Sequence, residues 1–283
     1  MEKRSRRVFL LSAIGLGAGV LGTPLYIRFV EPRWLQLDRR QIPVGPKRLA
    51  LPIRILHLSD FHVSGLVPYK FIERALDLGL RQKPDLICLT GDYIVRHLER
   101  AEEYRRILRK LSSAAPTFTC FGNHDGGSWA QAYGGYSTLA EMSELLRASG
   151  IACLLNEAQT VTIRGLRLGI VGLGDLWAGQ IRPEQALTAK RRDDIPIIVL
   201  CHNPDAKELL ANYDWDLMLS GHTHGGQLRL PFIGTPYAPV RDQNFVEGLH
   251  QWNGRWIYIT RGVGNLHGMR FNCRPQVSVL RLV

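Results

Sequence analysis

Short apolar runs alternate with amphipathic segments through most of the chain. In the first half, apolar runs predict strands at 53–58, 86–89 and 118–121. Between them, apolar positions that recur every three to four residues predict helices at 69–81 and 99–112. Strands and helices that alternate in this way are typical of an α/β fold.

The second half continues the alternation and then becomes mostly β. Predicted helices cover 139–149 and 205–212. Candidate strands lie at 159–163, 166–171, 195–200, 217–220, 227–230, 256–260 and 277–282. The chain shows no internal repeat, phosphate-binding loop or dinucleotide glycine fingerprint, which argues against a nucleotide cofactor.

The N-terminus differs from the rest of the chain. Residues 8–27 form an uncharged, mostly apolar run that is long enough to cross a bilayer as a helix. The preceding Arg6 and Arg7, followed by Val8-Phe9-Leu10, resemble a twin-arginine export signal, and the ordinary basic flank of a membrane anchor is the alternative. We therefore expect a signal or membrane anchor over 1–30, and whether it is cleaved stays open.

The remaining chain divides into two parts. Residues 31–47 are polar, basic and punctuated by prolines, which predicts a linker, and the folded domain is expected over 48–283. Membrane association is expected, with the domain outside the cytoplasm favoured. Positive charge is as abundant after the apolar run as before it, so the cytoplasmic face stays an alternative.

Composition narrows the set of partners. Lysine and arginine outnumber aspartate and glutamate, and the formal net charge is +11. Such a charge favours anionic partners such as phosphorylated lipids, nucleotides or an anionic membrane face. The five cysteines are an odd number without CxxC spacing, so neither a disulfide framework nor a thiol redox motif is indicated. Buried thiols are the expected role.

Residues of the kinds that bind metals follow five of the predicted strands. Strand ends in an α/β sheet open on one crevice, where residues far apart in sequence can meet. Imidazole, carboxylate and amide groups suit first-row divalent metals, so we expect catalytic metals. The candidate ligands are Asp60 and His62 after 53–58, Asp92 after 86–89, Asn123 after 118–121, His202 after 195–200, and His222 and His224 after 217–220.

Two of these motifs are specific enough to suggest a family. Gly-Asn-His-Asp at 122–125 and Gly-His-Thr-His at 221–224 are far rarer by chance than a lone Asp-x-His, and all the motifs occur in one expected order. From about residue 53 onward the chain resembles the calcineurin-like metallophosphoesterase superfamily. The stretches 174–179, 200–204, 221–227 and 260–264 look like its YaeI-type phosphodiesterase branch.

The resemblance implies a fold and a metal arrangement. The fold would be a two-layer β-sandwich flanked by helices, with two divalent metal ions at the strand ends. Asp60, His62 and His224 would hold one ion, Asn123, His202 and His222 the other, and Asp92 would bridge them. Mn, Fe, Zn, Co and Ni all accept such mixed ligands, so the sequence leaves the metal open.

Three further residues receive roles. His124 resembles the family's histidine that donates a hydrogen bond or proton to the substrate oxygen. Asp125 would fix the tautomer of that histidine, or else act as a turn residue. Arg261, which precedes Gly262, is expected to contact a substrate phosphate, with a surface ion pair as the alternative.

The expected activity is metal-dependent hydrolysis of a phosphodiester or pyrophosphate bond by a metal-bridging hydroxide. Within the superfamily, a UDP-diacylglucosamine-type glycolipid would be the specific substrate of a membrane-associated member. A nuclease and a non-catalytic metal-binding scaffold are the alternatives. No aromatic-interleaved basic stretch supports specific nucleic-acid binding, and the oligomeric state stays open.

Overall fold

The computed structural model describes residues 22–44, 51–188 and 195–283. The twin-arginine motif and most of the apolar run lie outside these ranges. Within them, no helix combines the length and the apolar character that a membrane crossing requires.

Twelve strands in the described ranges form two six-stranded sheets. The first sheet has the order β1-β12-β2-β3-β4-β5 and the second the order β10-β11-β9-β8-β7-β6. The first-sheet strands are β1 (Gln36–Ile42), β2 (Ile53–Leu58), β3 (Leu86–Thr90), β4 (Thr117–Cys120), β5 (Ala152–Cys153) and β12 (Gln276–Leu282). The second-sheet strands are β6 (Glu157–Ile163), β7 (Leu166–Gly172), β8 (Ile197–Leu200), β9 (Leu217–Ser220), β10 (Gly248–Trp252) and β11 (Arg255–Ile259).

Helices connect the strands. The α-helices are α1 (Tyr69–Leu80), α2 (Ala101–Ser112), α3 (Ser128–Ala132), α4 (Ala140–Ala148) and α5 (Pro183–Ala186). Short 3₁₀ turns cover Glu31–Arg33, Pro204–Glu208 and His224–Gly226, and a π-helical segment covers Tyr26–Val30.

The sheets face each other across an apolar core. Ile55, Cys88 and Phe118 of the first sheet belong to the same buried cluster as Ile198 and Leu219 of the second. The outer face of the first sheet packs against α1, α2 and α4 in a separate cluster. Because their central strands are buried on both faces, these strands appear as continuous apolar runs. The two-sheet α/β architecture expected from the family resemblance is therefore present.

The strand register brings the site together. Strands β2, β3 and β4 are mutually parallel, with Leu58 opposite Leu89 and Thr90 opposite Cys120. In the second sheet, β7, β8, β9 and β11 run parallel to one another, whereas the outer strands β6 and β10 pair antiparallel with β7 and β11. The loops that follow β2, β3, β4, β8 and β9 meet in one region, because their residues contact one another as described below.

The prediction of a linker over residues 31–47 is wrong in part. Residues Gln36–Ile42 form strand β1, which runs parallel to β12 at the edge of the first sheet. An edge strand leaves much of its surface to solvent, and the charged residues of β1 hid its strand character. Ile42 is fully buried. The folded part therefore begins before the expected residue 48.

Two other predicted elements differ, and one strand was missed. The helix expected at 205–212 is only the 3₁₀ turn Pro204–Glu208, which the Asn203 side chain caps by accepting from the Asp205 backbone N–H. The strand expected at 227–230 is reduced to isolated bridges, from Leu228 to Phe271 and from Leu230 to Gly234. Strand β10 was missed, because its alternation is weak and every residue in it stays partly exposed.

Candidate metal centre

The seven predicted ligands lie in the loops directly after β2, β3, β4, β8 and β9, and all are buried. His62 Nε2 lies 3.1 Å from His224 Nε2 and 3.9 Å from Asp60 Oδ1. These three residues present ligand atoms that all lie within 4.8 Å of one another, as do Asp60, Asp92 and His202. The structure therefore gathers residues from both sheets into one cluster.

Asp92 lies at the middle of the cluster. Its Oδ2 atom is 3.3 Å from His62 Nε2 and 3.1 Å from His202 Nε2. These two histidines belong to the two different ligand sets that the sequence predicts. A carboxylate in this position can reach both sets.

The imidazole rings are held with Nε2 towards the cluster. His202 Nδ1 lies 2.6 Å from the Thr90 carbonyl oxygen, and His62 Nδ1 lies 3.4 Å from that of Ile94. A backbone carbonyl at Nδ1 favours a proton on that nitrogen and leaves Nε2 as the ligand atom. The orienting carbonyls come from β3 and the loop after it.

Burial keeps three of the histidines neutral. It lowers the pKa of His62 to about 3 and that of His222 to about 3, and it holds the pKa of His224 well below the usual value. All three are therefore unprotonated near pH 7, which is the form that binds metals.

The carboxylates and His202 carry the charge of the centre. Burial raises the pKa of Asp60 to about 6. Burial also opposes ionisation of Asp92, but the nearby His202, His124 and His62 hold the Asp92 pKa well below its usual value. For His202, burial is outweighed by the carboxylates of Asp92, Asp60 and Asp175, so its pKa is raised. A concentration of buried carboxylates and imidazoles of this kind is typical of a functional site.

The backbone at the ligands is strained. Asp60, His62, Asp92, His222 and His224 all have positive φ, between 46° and 69°. Non-glycine residues rarely adopt this conformation, and each instance costs on the order of 1–3 kcal/mol. Five of the seven predicted ligands share this strain, as is common where a fold aims side chains into a functional site.

Glycines next to the ligands provide space. A Cβ atom on Gly122 would overlap Asp92 Oδ1, and one on Gly221 would overlap Asp60 Oδ2. Gly91, with φ of 80°, permits the sharp turn that precedes Asp92. At Gly122 and Gly221 the requirement is room for a carboxylate.

The donor set fits divalent metals. Asn123 Oδ1 and His222 Nε2 are buried and have no hydrogen-bond partner among the described residues. Buried polar atoms without partners are costly, and a metal ion would satisfy both. Nitrogen and oxygen ligands in this mixture suit first-row divalent ions.

His124 lies beside the cluster, but Asp125 does not orient it. His124 Nδ1 lies 3.1 Å from the Val95 carbonyl oxygen, and its ring stacks edge-on against His62 and Trp129. Val95 therefore has the orienting role that the sequence assigned to Asp125.

Asp125 instead ties two loops together. Its carboxylate accepts from the backbone N–H groups of Asp92, Tyr93 and Gly122 at 2.8–2.9 Å. This is the turn role that the sequence left as the alternative. It fixes the loop of Asp92 against the loop of Asn123.

Arg261 is not brought into the cluster. Its guanidinium donates to Gln276 and Gln36, at 2.9 and 3.0 Å, and lies 3.4 Å from a Glu247 carboxylate oxygen. These contacts match the ion pair that the sequence left as the alternative. A phosphate contact by Arg261 stays a prediction.

A cavity of about 360 Å³ opens onto the centre. Asp92, Asn123, His124, His222 and His224 form its polar floor. The rest of the lining is mostly apolar or aromatic, with Thr223, Gln227 and His267 as further polar groups: the apolar and aromatic residues are Trp129, Trp177, Leu228, Pro236, Tyr237, Pro239, Leu266 and Met269. A few polar groups within an apolar cleft are typical of a small-molecule site.

Sequence reasoning missed the aromatic walls. Trp177 lies in the 174–179 stretch that carried the family resemblance, and its ring contacts His222 edge-on at 4.3 Å between centroids. That stretch was the available signal. Trp129 lies 6.2 Å from Trp177 between ring centroids and had no such signal, because it belongs to a short helix without a motif.

The family comparison agrees with the site. The calcineurin-like phosphoesterase model matches residues 53–226, which contain all seven predicted ligands. This chain belongs to the calcineurin-like phosphoesterase family. The match covers the strands and loops that build the cluster.

Full-length relatives extend the match to the rest of this phosphoesterase. It is 44% identical over 280 residues to phosphodiesterase YaeI of Escherichia coli, covering 99% of each chain. It is 33% identical to the metallophosphoesterase YkuE of Bacillus subtilis, over 100% of this chain and 99% of that one. It is 27% identical to the UDP-2,3-diacylglucosamine pyrophosphatase LpxG of Chlamydia muridarum, over 97% and 98%. The chain is a phosphoric ester hydrolase.

Proposed function

We propose that this phosphoesterase is a binuclear-metal phosphodiesterase that cleaves a phosphodiester or pyrophosphate bond. The observation that carries the proposal is the Asp92 carboxylate, which lies within 3.3 Å of both His62 and His202. Asp60, His62 and His224 would hold one divalent ion, and Asn123, His202 and His222 the other, with Asp92 shared. When bound, two such ions would supply a hydroxide near neutral pH and neutralise charge on the phosphoryl oxygens.

The protein side chains contribute position and a proton. His124 has its Nδ1 fixed by the Val95 carbonyl, so its other ring nitrogen is free to serve substrate. We assign it the transfer of a proton or hydrogen bond to the departing oxygen. The apolar walls around the polar floor exclude water and orient the substrate.

A glycolipid pyrophosphate is the specific substrate that we favour. LpxG is a pyrophosphatase for UDP-2,3-diacylglucosamine and aligns along nearly all of this chain. Aromatic and aliphatic side chains form most of the cavity wall, which suits a substrate with an apolar portion. A nuclease would require steep salt dependence of cleavage, because phosphate contacts release counterions.

We propose that residues 1–30 attach the enzyme to a membrane, with the catalytic domain outside the cytoplasm. The support is the apolar run at 8–27 and the Arg6-Arg7 pair before it. Replacing both arginines by lysine should retain the protein inside the cell, as measured by protease access to spheroplasts. Equal protease access in the variant would exclude twin-arginine export.

The decisive experiment compares three substrates on full-length enzyme that is stripped of metal and reloaded with Mn, Fe, Zn, Co or Ni separately. The substrates are bis-p-nitrophenyl phosphate, p-nitrophenyl phosphate and a UDP-linked diacyl glycolipid. We expect cleavage of the diester and faster cleavage of the glycolipid. Metal content is measured in parallel.

Asp92→Asn is the variant that tests the centre, because it removes the shared charge and conserves volume. We expect loss of bound metal and a fall in turnover of about 10³-fold, since the metals contribute several kcal/mol to the transition state. Asp205→Asn is the matched control, since this buried carboxylate accepts from the backbone of Arg241 away from the cluster. A metal-loaded enzyme inert to all three substrates would instead support a binding scaffold.

A further inference from the structure

A loop with an exposed apolar tip rises beside the cavity. Leu230 and Gly234 exchange two backbone hydrogen bonds of 2.7 and 2.9 Å and close a tight turn. At its tip, the side chains of Phe232 and Ile233 are 109% and 72% exposed. Exposing two adjacent large apolar side chains to water costs free energy, and such a patch usually marks an interaction surface.

The base of this loop is fixed to the metal centre. Leu228 bridges to Phe271, and the Arg229 backbone N–H donates to the Phe271 carbonyl at 2.8 Å. Thr235 packs so closely on Gly226 that no Cβ would fit there. Gly226 ends the turn that carries His224, so the tip has a set position relative to the catalytic floor.

Exposed apolar side chains also line the cavity itself. Tyr237 lines the cavity and is 72% exposed. Leu266 and Met269 also line the cavity, and Met269 is 42% exposed. They belong to the loop at 264–271, which we call the shared loop.

The outer side of the shared loop receives the N-terminal segment. Arg28 Nη1 donates to the Gly268 carbonyl at 2.8 Å, and the Arg270 backbone N–H donates to the Ile27 carbonyl at 3.1 Å. Next to these contacts, Leu25 and Phe29 are 58% and 53% exposed. Residues 22–27, the described end of the apolar run, therefore join the domain at a loop that lines the cavity.

A basic groove adjoins the shared loop and the N-terminal segment. Arg28, Arg33, Lys70 and Arg74 line it, together with Gly268 of the shared loop. None of these four cations forms an ion pair with another residue in the described part of the chain. Unpaired arginines and lysines beside an apolar segment complement the phosphates of anionic lipids.

We propose that the Phe232–Ile233 tip, the N-terminal segment and the basic groove together form a surface that rests on an anionic lipid bilayer. Phe232 and Ile233 insert among the acyl chains, and the basic groove takes anionic headgroups. The cavity mouth then opens at the bilayer surface, where a lipid-linked phosphoric ester can enter without leaving the membrane. The inference rests on the proposed function, since it names where that site finds its substrate.

Fluorescence from a labelled cysteine measures insertion of the tip into the bilayer directly. All five native cysteines are buried, so a cysteine placed by Ile233→Cys can be labelled selectively with an environment-sensitive fluorophore. Ala114→Cys is the matched control, since this exposed residue lies between α2 and β4 at the opposite ends of the strands. Full-length protein is reconstituted in vesicles of phosphatidylglycerol and phosphatidylcholine, with and without nitroxide-labelled lipid.

We expect blue-shifted emission and strong nitroxide quenching at position 233, with neither at 114. Vesicles of phosphatidylcholine alone should weaken the quenching, because the groove then lacks its anionic partner. Equal, water-like emission at the two positions would overturn the proposal. Disulfide crosslinking of two chains through unlabelled position 233, without quenching, would overturn it by placing a second copy on this face.

A double variant separates this inference from the proposed function. Phe232→Ser with Ile233→Ser should lower cleavage of the glycolipid in vesicles by about tenfold or more, because two buried apolar side chains are lost from the bilayer. Cleavage of bis-p-nitrophenyl phosphate should stay within roughly twofold, as expected for surface substitutions. Failure of the wild type on every substrate would refute the function, whereas equal losses on both substrates would refute the membrane role of the tip.

Discussion

His124 lies against the cluster without belonging to either predicted ligand set. It is one of three residues, with His62 and Asp92, whose potential ligand atoms lie within 4.8 Å of one another. Its Nδ1 is engaged by the Val95 carbonyl, and its ring packs against Trp129. At the scale of single residues, the question is whether it moves a proton or binds a metal.

Replacing His124 by Ala should lower kcat by about 10²–10⁴-fold on diesters with alkoxide leaving groups. The loss should be smaller with p-nitrophenolate, which departs without protonation. Bound metal should not change, as measured by elemental analysis of the purified variant. His97→Ala is the control, because this neighbouring histidine is exposed and does not line the cavity.

Two results would contradict this role. Loss of metal from His124→Ala would make the residue a ligand. Equal losses across leaving groups would remove the proton-transfer role and leave a purely structural one.

At the scale of elements, the site depends on how closely the strand-end loops approach each other. The loop after β9 crosses the loop after β2, and the His222 backbone N–H donates to Asp60 Oδ1 at 3.0 Å. Gly221 permits this approach. One added methyl group would act directly on a predicted ligand.

Gly221→Ala should weaken metal binding by about 10–100-fold, the usual effect of disturbing the groups that support a ligand. The added Cβ displaces Asp60, since it would overlap both Ser59 and the Asp60 carboxylate. Metal titration by calorimetry measures the effect. Gly169→Ala in β7 is the matched control, because its Cβ would meet Ile197 at an ordinary 3.5 Å, and unchanged affinity in both variants would contradict the packing argument.

Strand β1 is the second element that a prediction can test. It pairs along seven residues with β12, and Tyr258 of the other sheet donates to Asp38 at 2.8 Å. A chain starting at residue 43 should lose solubility, because the edge of β12 is exposed and the buried Ile42 is removed.

A chain starting at residue 22 is the control for that truncation. It keeps β1 and the N-terminal contacts, so it should stay soluble and cleave bis-p-nitrophenyl phosphate. Gel filtration and thermal melting compare the two. Equal solubility and melting temperature would show that β1 adds nothing to the fold.

At the scale of the whole molecule, the centre joins the two sheets. Asp60, Asp92 and Asn123 follow strands of the first sheet, whereas His202 and His222 follow strands of the second. A ligand that binds only the folded state stabilises it by mass action. Metal binding and global stability are therefore coupled.

Free metal at 100 times its Kd should stabilise the fold by about 2.7 kcal/mol and raise Tm by roughly 5–10 °C. Chelator should reverse the shift, as followed by calorimetric melting. The Asp92→Asn variant should show little increase in Tm when metal is added. A Tm that is insensitive to chelator in a protein that has lost its metal would contradict the coupling.

The match between sequence and structure follows the buried strands. The apolar runs at 53–58, 86–89 and 217–220 predicted β2, β3 and β9 within one residue, because burial on both faces leaves only apolar residues there. The weakly patterned β10 and the charged β1 were not predicted, since a strand with one side in solvent carries little periodic signal.

The sequence by itself determined the family, the α/β class and the residue types of the centre, because metal chemistry demands specific side chains in specific motifs. Only the tertiary structure decided which groups orient the side chains of the centre and its surroundings. Val95 rather than Asp125 faces His124, and Arg261 turns to Gln276. The loop that carries Phe232 and the N-terminal segment both contact the shared loop, which their sequences do not indicate. Carbonyl contacts and the approach of distant loops depend on packing across the two sheets, and local sequence does not encode them.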